Sequence, residues 1–474
     1  METRPVPRGL MPCLTFAALG GSFVAALGTP LIPTIAHERH VSFDLAQWNL
    51  TIALLVGAVT TPLISRWGDG GRRRTVMITV LGITIAGALT AATAPTFSQL
   101  LVGRALQGSG YAIAPVAMGI AREYLSGARL ARAVASLAVT IAVGAGIGNP
   151  IVGGLTTALD YRAAFYFAGL FGIVSLLWLI STVPAPPRGP DRSVVWDIPG
   201  AVVLTVGLGA LLLGISRGEA WGWTSTGVLA LGGVGLALLG VFVRLELRSP
   251  APLIDLRLAA IPAVLGANVA TMFVGMAMFS GTPITVRLVQ TPAEQGYGFG
   301  ASPLTGALLL FAFSMGSLGS QLILGPLTAL LGPRRLLALA ACFIGSGWLS
   351  IGFLHHAIWQ ITAAMVAAGV GMGLVFSILP QIIVAAVPDE RTTSASGLNT
   401  VIRLIGGTLG SAGCAAILTA HTPAGSAYPT EAGMRLALIC TATTCLLSAI
   451  AGLVLVRGPG RGKRTRIPAP ESVR

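Results

Sequence analysis

The sequence predicts an all-α integral membrane protein with fourteen transmembrane helices, and three observations carry that prediction. Hydrophobic residues make up 54% of the 474 residues and charged residues only 10%, with mean hydropathy +0.82; soluble domains carry roughly 25% charge. The apolar residues fall in runs of about 20 or more, the length a helix needs to cross hydrocarbon, and they lack the alternating polarity of barrel strands. The 30 Lys and Arg, set against 16 Asp and Glu, do not form one basic stripe. They sit in short clusters between the runs, the pattern of a multi-span protein rather than of a nucleic-acid binder.

Taken in order, the predicted spans are 11–36, 45–67, 75–94, 97–121, 133–157, 163–184, 198–216, 225–245, 259–283, 302–325, 335–354, 357–386, 395–420 and 434–456. The first run continues from near Gly9 to about Ile35, so it reads as an uncleaved helix rather than a signal peptide. With a cytoplasmic N-terminus, 23 basic residues fall in inside segments and five (Arg39, Arg162, Arg217, Arg287, Arg435) in outside segments, while Arg104 and Arg403 lie within spans. That asymmetry supports an even span count with both termini cytoplasmic. The Pro- and charge-rich stretch 185–196 reads as a linker, 289–302 as a Gly/aromatic outer loop, and the tail from Gly458 as disordered at the anionic inner leaflet.

A weak internal repeat organises these spans. Pro62-Leu63 followed by Gly71-Arg72-Arg73-Arg74 matches Pro326-Leu327 followed by Gly332-Pro333-Arg334-Arg335. Six spans, two extra spans and six spans put these basic turns at equivalent positions. The expected division is therefore 1–184, a first six-helix bundle; 185–257, two additional helices with linkers; 258–456, a second six-helix bundle; and 457–474, a basic cytoplasmic tail. Duplicated halves suit a transporter whose two bundles rock about a midplane site.

Several motifs sharpen the reading. Ser65-Arg66-Trp67-Gly68-Asp69-Gly70-Gly71-Arg72-Arg73-Arg74 resembles the span 2–3 signature loop of the major facilitator superfamily. Its physical sense is a conformational latch formed by Gly68, Asp69, Arg72, Arg73 and Arg74, in which Asp69 can pair with the arginines or a helix N-terminus in one state and release them in another. Arg104-Ala-Leu-Gln107-Gly108-Ser-Gly110 places an arginine inside hydrocarbon, where it must face a cavity or a partner. It resembles the span-4 motif whose arginine the superfamily associates with proton coupling. Gly144-Ala-Gly146-Ile-Gly148-Asn149-Pro150 with Gly153-Gly154 resembles the antiporter motif of drug exporters, a closely packing helix kinked at proline. Asp160-Tyr161-Arg162 and the stretch from Val387 through Asn399 and Arg403 to Gly407 are also similar to that group. Together these implicate the fourteen-span drug:proton antiporter family (EmrB/QacA-like) and a major facilitator fold. One departure is that span 1, where that family often carries an aspartate, has none.

The chemistry follows from what the spans hold. The sequence has no Walker loop, no hydrolytic triad and no paired cysteine spacing, so an enzyme, a metal site and a bound cofactor are not expected. No Asp or Glu lies inside a predicted span. The nearest acids to Arg104 are Glu38 and Asp44 at the outer turn between spans 1 and 2; with Arg104 they form the candidate proton-coupling set, since a carboxylate can lose its proton when the arginine approaches. A substrate cavity is expected from Phe23, Asn49, Gln107, Tyr111, Asn268, Met272, Phe273, Met276, Gln321, Phe376, Gln381, Asn399 and Arg403. An acid-free cavity with two arginines favours neutral or anionic cargo. The expectation is a monomeric, proton-gradient-driven exporter of a small hydrophobic compound in a bacterial inner membrane. Protons, the substrate and the bilayer are its partners, and nucleic acid is not. The alternatives are a facilitator or importer on the same fold and a non-transporting membrane sensor.

Overall fold

A computed structural model describes residues 6–41, 43–68, 72–185, 197–249, 256–388, 391–423, 426 and 428–455. Among the described residues the chain is all helical. The helices are α1 (Leu10–Ala26), α2 (Ile32–Glu38), α3 (Phe43–Gly68), α4 (Arg73–Ala92), α5 (Phe97–Gly108), α6 (Ile113–Tyr124), α7 (Gly127–Ala158), α8 (Tyr161–Thr182), α9 (Ile198–Trp221) and α10 (Thr226–Arg248). They continue as α11 (Leu256–Ala259), α12 (Pro262–Gln290), α13 (Pro303–Phe353), α14 (Ile358–Ala386), α15 (Thr392–Ala420) and α16 (Glu431–Leu455). Nine helices among the described residues are long and apolar enough to cross a membrane, and Leu10–Ala26 and Pro199–Ile215 are shorter apolar helices.

Helix starts follow local capping chemistry. The side chains of Thr96, Asp160, Asp197, Ser225 and Ser302 accept backbone N–H bonds from the first turns of α5, α8, α9, α10 and α13, satisfying donors that a helix start leaves open. The Asp160-Tyr161-Arg162 turn is thus in part an N-cap. Gly332, at φ 69° and ψ 165°, is the single non-helical residue within α13. Glycine tolerates that conformation and Pro333 restarts the helix at once, so the basic turn expected between two spans is a sharp bend in one element.

Three details differ from the predicted spans. The run 97–121 is interrupted by a 3₁₀ turn at Ser109–Ala112. The outer run that begins at residue 11 ends its first helix at Ala26, and α2 carries the chain on to Glu38. The run 225–245 extends to Arg248, which brings Glu246 inside α10, where it is buried. An acid therefore does lie within a helix of the membrane set, close to Gly200 and Asp197 of α9. It is remote in sequence from the central cavity.

Packing falls into two bundles and a flank. Leu14, Leu81, Ile113 and Leu137 centre one core on α1, α4, α6 and α7. Trp348, Phe313, Met365 and Leu438 centre another on α12, α13, α14 and α16, joined by Val139 and Val143 of α7. Helices α9 and α10 pair with each other, and α9 lies against α3 and α15. Leu229, Leu236 and Val241 of α10 are exposed, an apolar face suited to lipid. Helix association in lipid relies on close approach of small residues; at Gly87 and Gly103 a Cβ would come within 2.6 Å of the neighbouring helix backbone.

The repeat has a structural counterpart. Arg74 Nε, at the start of α4, donates to the Val183 carbonyl beyond α8 at 2.7 Å. Arg334, just after the α13 bend, donates to the Leu453 carbonyl near the end of α16. In each half the basic turn braces the C-terminal end of that half's last long helix, where carbonyls lack helical partners.

Candidate functional site

Two arginines lie deep in the helix bundle, and their surroundings differ. Arg104 of α5 is 0% exposed. Its Nε donates to the Asn49 carbonyl at 2.8 Å, one terminal nitrogen to Gln107 Oε1 at 2.8 Å and the other to the Val24 carbonyl at 3.1 Å. Asn49 in turn donates to the Leu27 and Gly28 carbonyls at 2.9 and 3.1 Å. The guanidinium fork therefore ties α1, α3 and α5 together, with the positive charge offset by the carbonyl dipoles of helix-end and helix-interior backbone. Asn49 and Gln107 stand beside Arg104 in this knot.

Arg403 of α15 is 8% exposed. Its guanidinium lies 5.1 Å from the centre of the Phe376 ring of α14, a cation–π arrangement. Among the described residues no hydrogen-bond acceptor reaches it. The Tyr111 hydroxyl lies within electrostatic range of both arginines and, although buried, has no hydrogen-bond partner.

Arg403 lines a narrow cavity between the two halves. The first half contributes Ala114, Pro115 and Met118 from α6 and Ala138 from α7. The second contributes Thr271 and Val274 from α12, Phe376, Leu379, Pro380 and Ile383 from α14, and Ser396, Asn399, Thr400 and Arg403 from α15. The α15 residues follow i, i+3, i+4, i+7 spacing, one helical face. Asn399 Nδ2 donates to Asn268 Oδ1 at 3.0 Å and to Thr271 Oγ1 at 2.7 Å, so Asn268 supports the wall from behind. The Ser396 hydroxyl is buried without a hydrogen-bond partner. One wall is thus apolar, the other carries a polar stripe ending in a cation, and no lining residue is acidic.

Of the residues expected at a substrate cavity, Phe376, Asn399 and Arg403 line this one. Asn49, Gln107 and Tyr111 gather around Arg104. The rest are elsewhere. Phe23 packs against Phe167 and Phe171. The backbones of Met272 and Met276 run against Gly406 and Gly410 of α15, and neither these two nor Phe273 between them is among the lining residues. Gln321 donates to Ser377 at 3.0 Å, and Gln381 to the Ser377 carbonyl at 2.8 Å. Sequence reading missed Ser396, Thr400 and Thr271, although extending the helical period from Asn399 and Arg403 reaches the first two.

The latch residues are partly described. Asp69, Gly70 and Gly71 lie outside the described residues, and Gly68 is buried at the end of α3. Arg73 pairs with Glu123 of α6 at 3.0 Å, and Arg72 precedes α4 at its N-cap. Glu123 is a partner that sequence reading missed; an Arg-Glu pair ending span 4 on the same side was the available signal. From the same helix end, Arg122 crosses to the other half, donating to the Val384 carbonyl at 3.0 Å, to Thr392 Oγ1 and to the Val387 carbonyl at 3.5 Å. It binds the carbonyl end of α14 and the start of α15 together.

In α7, glycines 144 and 148 face α1, where a Cβ would meet Ser22, Ala26 or Phe23, whereas Gly146 faces the second half so closely that a Cβ would overlap the Ser314 hydroxyl. Pro150 lies within the helix and Asn149 is half-buried. Gly153 and Gly154 have open space around their Cβ positions. At the opposite end of the bundle from Arg122, Arg39 donates to Tyr161 and to the Ala94 and Pro95 carbonyls. Glu38 stands beside Asp160 there, apart from Arg104. Burial pushes the Glu38 carboxyl above its ordinary value, the Asp160 charge adds to that, and Arg162 and Arg39 oppose it. The Asp44 side chain lies outside the described residues.

The comparisons with known proteins agree on one family. The model described as Major Facilitator Superfamily matches residues 14–411 and again 264–473. An uncharacterized MFS-type transporter, YcnB of Bacillus subtilis (strain 168), is 25% identical over 472 residues, covering 96% of each chain. A multidrug resistance protein B homolog of Mycobacterium tuberculosis (strain CDC 1551 / Oshkosh) is 28% identical over 384 residues, 79% of this chain and 69% of that protein. Among solved structures, the human organic anion transporter MFSD10 (TETRAN) superposes with TM-score 0.67 at 15% identity, covering 95% of this chain and 100% of that one.

Proposed function

Because the chain belongs to the Major Facilitator Superfamily, we propose that it exports a small hydrophobic compound, neutral or anionic, by alternating access driven by the proton gradient. The family and fold are those of multi-pass membrane transporters, not enzymes. The observation that carries the export reading is the cavity between the halves, apolar on one side and cationic on the other. Relatives named for multidrug resistance and multidrug transport support efflux as the direction, and with it a contribution to antibiotic resistance.

The finer assignment is the fourteen-span drug:proton antiporter family (EmrB/QacA-like), acting as a monomer in a bacterial inner membrane with both termini cytoplasmic. In support of fourteen crossings, α5 and α6 form one crossing through the 3₁₀ turn and α13 forms two across Gly332. With α1, α3, α4, α7, α8, α9, α10, α12, α14, α15 and α16 they make up the set. On this topology Arg122 closes the cytoplasmic end, and the Asp69 loop is its latch. Arg104 and Glu38 remain the proposed proton-coupling groups with Asp44.

A second reading is favoured by the acid-free cavity wall: a facilitator through which an anion leaves down the membrane potential, worth about 2.3 kcal/mol per charge per 100 mV. Everted vesicles test both. Proton-driven export predicts uptake of a lipophilic probe that collapses with the pH gradient under nigericin. Uptake that fails when valinomycin and potassium remove the potential, and that releases no protons from acidified vesicles when the probe is added, refutes proton coupling in favour of the facilitator. A membrane sensor would move nothing.

A further inference from the structure

We infer that the Arg403 end of the cavity docks the carboxylate of an organic monoanion whose apolar body lies against α6 and α7. This deepens the export reading and rests on it, by naming the charged group of the cargo. The argument starts from the contrast between the two buried arginines. Arg104 has three hydrogen-bond acceptors; its charge is accounted for by the fold. Arg403 is just as deep, yet one ring face is its closest described compensation. A guanidinium that has lost water and gained no acceptor is costly, and a planar bidentate acceptor relieves that cost best. The residue lines the cavity, and among the described residues its donors meet no acceptor.

The rest of the wall narrows the cargo. A single cation with no lining acid suits one negative charge, and a lipophilic cation finds no counter-charge. Ala114, Pro115, Met118 and Ala138 offer a tail only apolar contact. The orphan Ser396 hydroxyl lies seven residues from Arg403 on the same helix face, about 10 Å at helical rise. It is placed for a second polar group at the far end of the ligand.

Binding of 4-octylbenzoate and of its neutral isostere 4-octylbenzamide to the full-length protein in nanodiscs, measured calorimetrically against empty nanodiscs, tests the inference. The wild-type protein is expected to bind the acid at least tenfold more tightly. Arg403→Gln should bring the two within about threefold by weakening the acid alone, and Arg403→Lys should keep part of the preference. Equal wild-type affinities overturn the inference with no variant needed, so a poorly folded Arg403→Gln does not shelter it. A preference that survives Arg403→Gln overturns it as well. Acid-selective binding without vesicle transport supports the docking site and removes export; transport without acid selectivity does the reverse.

Discussion

Arg122 makes hydrogen bonds that span the cytoplasmic end of the proposed pathway, which makes Arg122→Ala a direct probe of alternating access. The guanidinium makes two close bonds, to the Val384 carbonyl and Thr392, and a third to Val387 at 3.5 Å, the limit of the range. Charge-assisted bonds are worth about 1.5–3 kcal/mol each when buried. Arg122 is only half-buried, and solvent screening reduces the set to about 1–2 kcal/mol. That free energy shifts the closed-to-open equilibrium at this end about 5- to 30-fold. Met118 lines the cavity and is buried, so Met118→Cys in a background without the five native cysteines reports opening. In everted vesicles, its reaction with a membrane-impermeant maleimide should accelerate 5- to 30-fold when Arg122→Ala is added. Arg122→Lys, still able to donate to the α14 carbonyls, should recover part of the closure. A labelling rate within twofold of the Arg122 parent would show that the crossing does not hold the halves together.

Two further perturbations test other contacts. Gly146→Ala sets a methyl on the Ser314 hydroxyl and should destabilise the purified protein by about 1–3 kcal/mol through overpacking. Ser314→Gly in the same chain should restore at least half of the lost thermal stability, and failure to do so places the damage elsewhere. Glu38→Gln tests the carboxyl raised by burial and by Asp160. A raised folded-state pKa means the folded protein holds the proton more readily than the unfolded chain, so stability falls as pH rises from the ordinary carboxylate value through the raised one. The uncharged glutamine should therefore raise Tm at pH 7, with the gain shrinking toward pH 4. An equal gain at both pH values would exclude titration of Glu38 as its cause.

The fold class was legible because span length and charge placement are properties of single segments. What surrounds each buried arginine was not, since it depends on which backbones arrive beside it. Sequence marks Arg104 and Arg403 alike as charges within spans. Gln107, one acceptor of Arg104, stands in its motif, but the other two are the carbonyls of Val24 and Asn49, groups every residue has, so no motif announces them. Glu246 shows a second limit: hydropathy ends a span where polarity begins, yet α10 runs on to Arg248 and buries the acid. The Met and Phe residues of α12 look like an adaptable cavity wall in composition. In the fold, the α12 backbone packs so tightly on Gly406 and Gly410 of α15 that Thr271 and Val274 reach the cavity instead.

The same contacts fit the proposed rocking of the two halves. Within the first half Arg74 braces α8 and Arg73 holds Glu123; within the second, Arg334 braces the end of α16 and Ser280 meets Thr441 at 3.1 Å. Arg104 adds a three-way tie that never leaves the first half. Between the halves the contacts are of another kind: Gly146 on Ser314, Gly397 on Ser65, and Arg122 on groups at helix ends. Small residues slide or part without leaving a buried charge behind, and helix-end carbonyls can return to water. Among the described residues, the charged ties named above lie inside each half, an arrangement that suits the proposed rocking, with Arg403 at the boundary as the charge that the proposed cargo would neutralise.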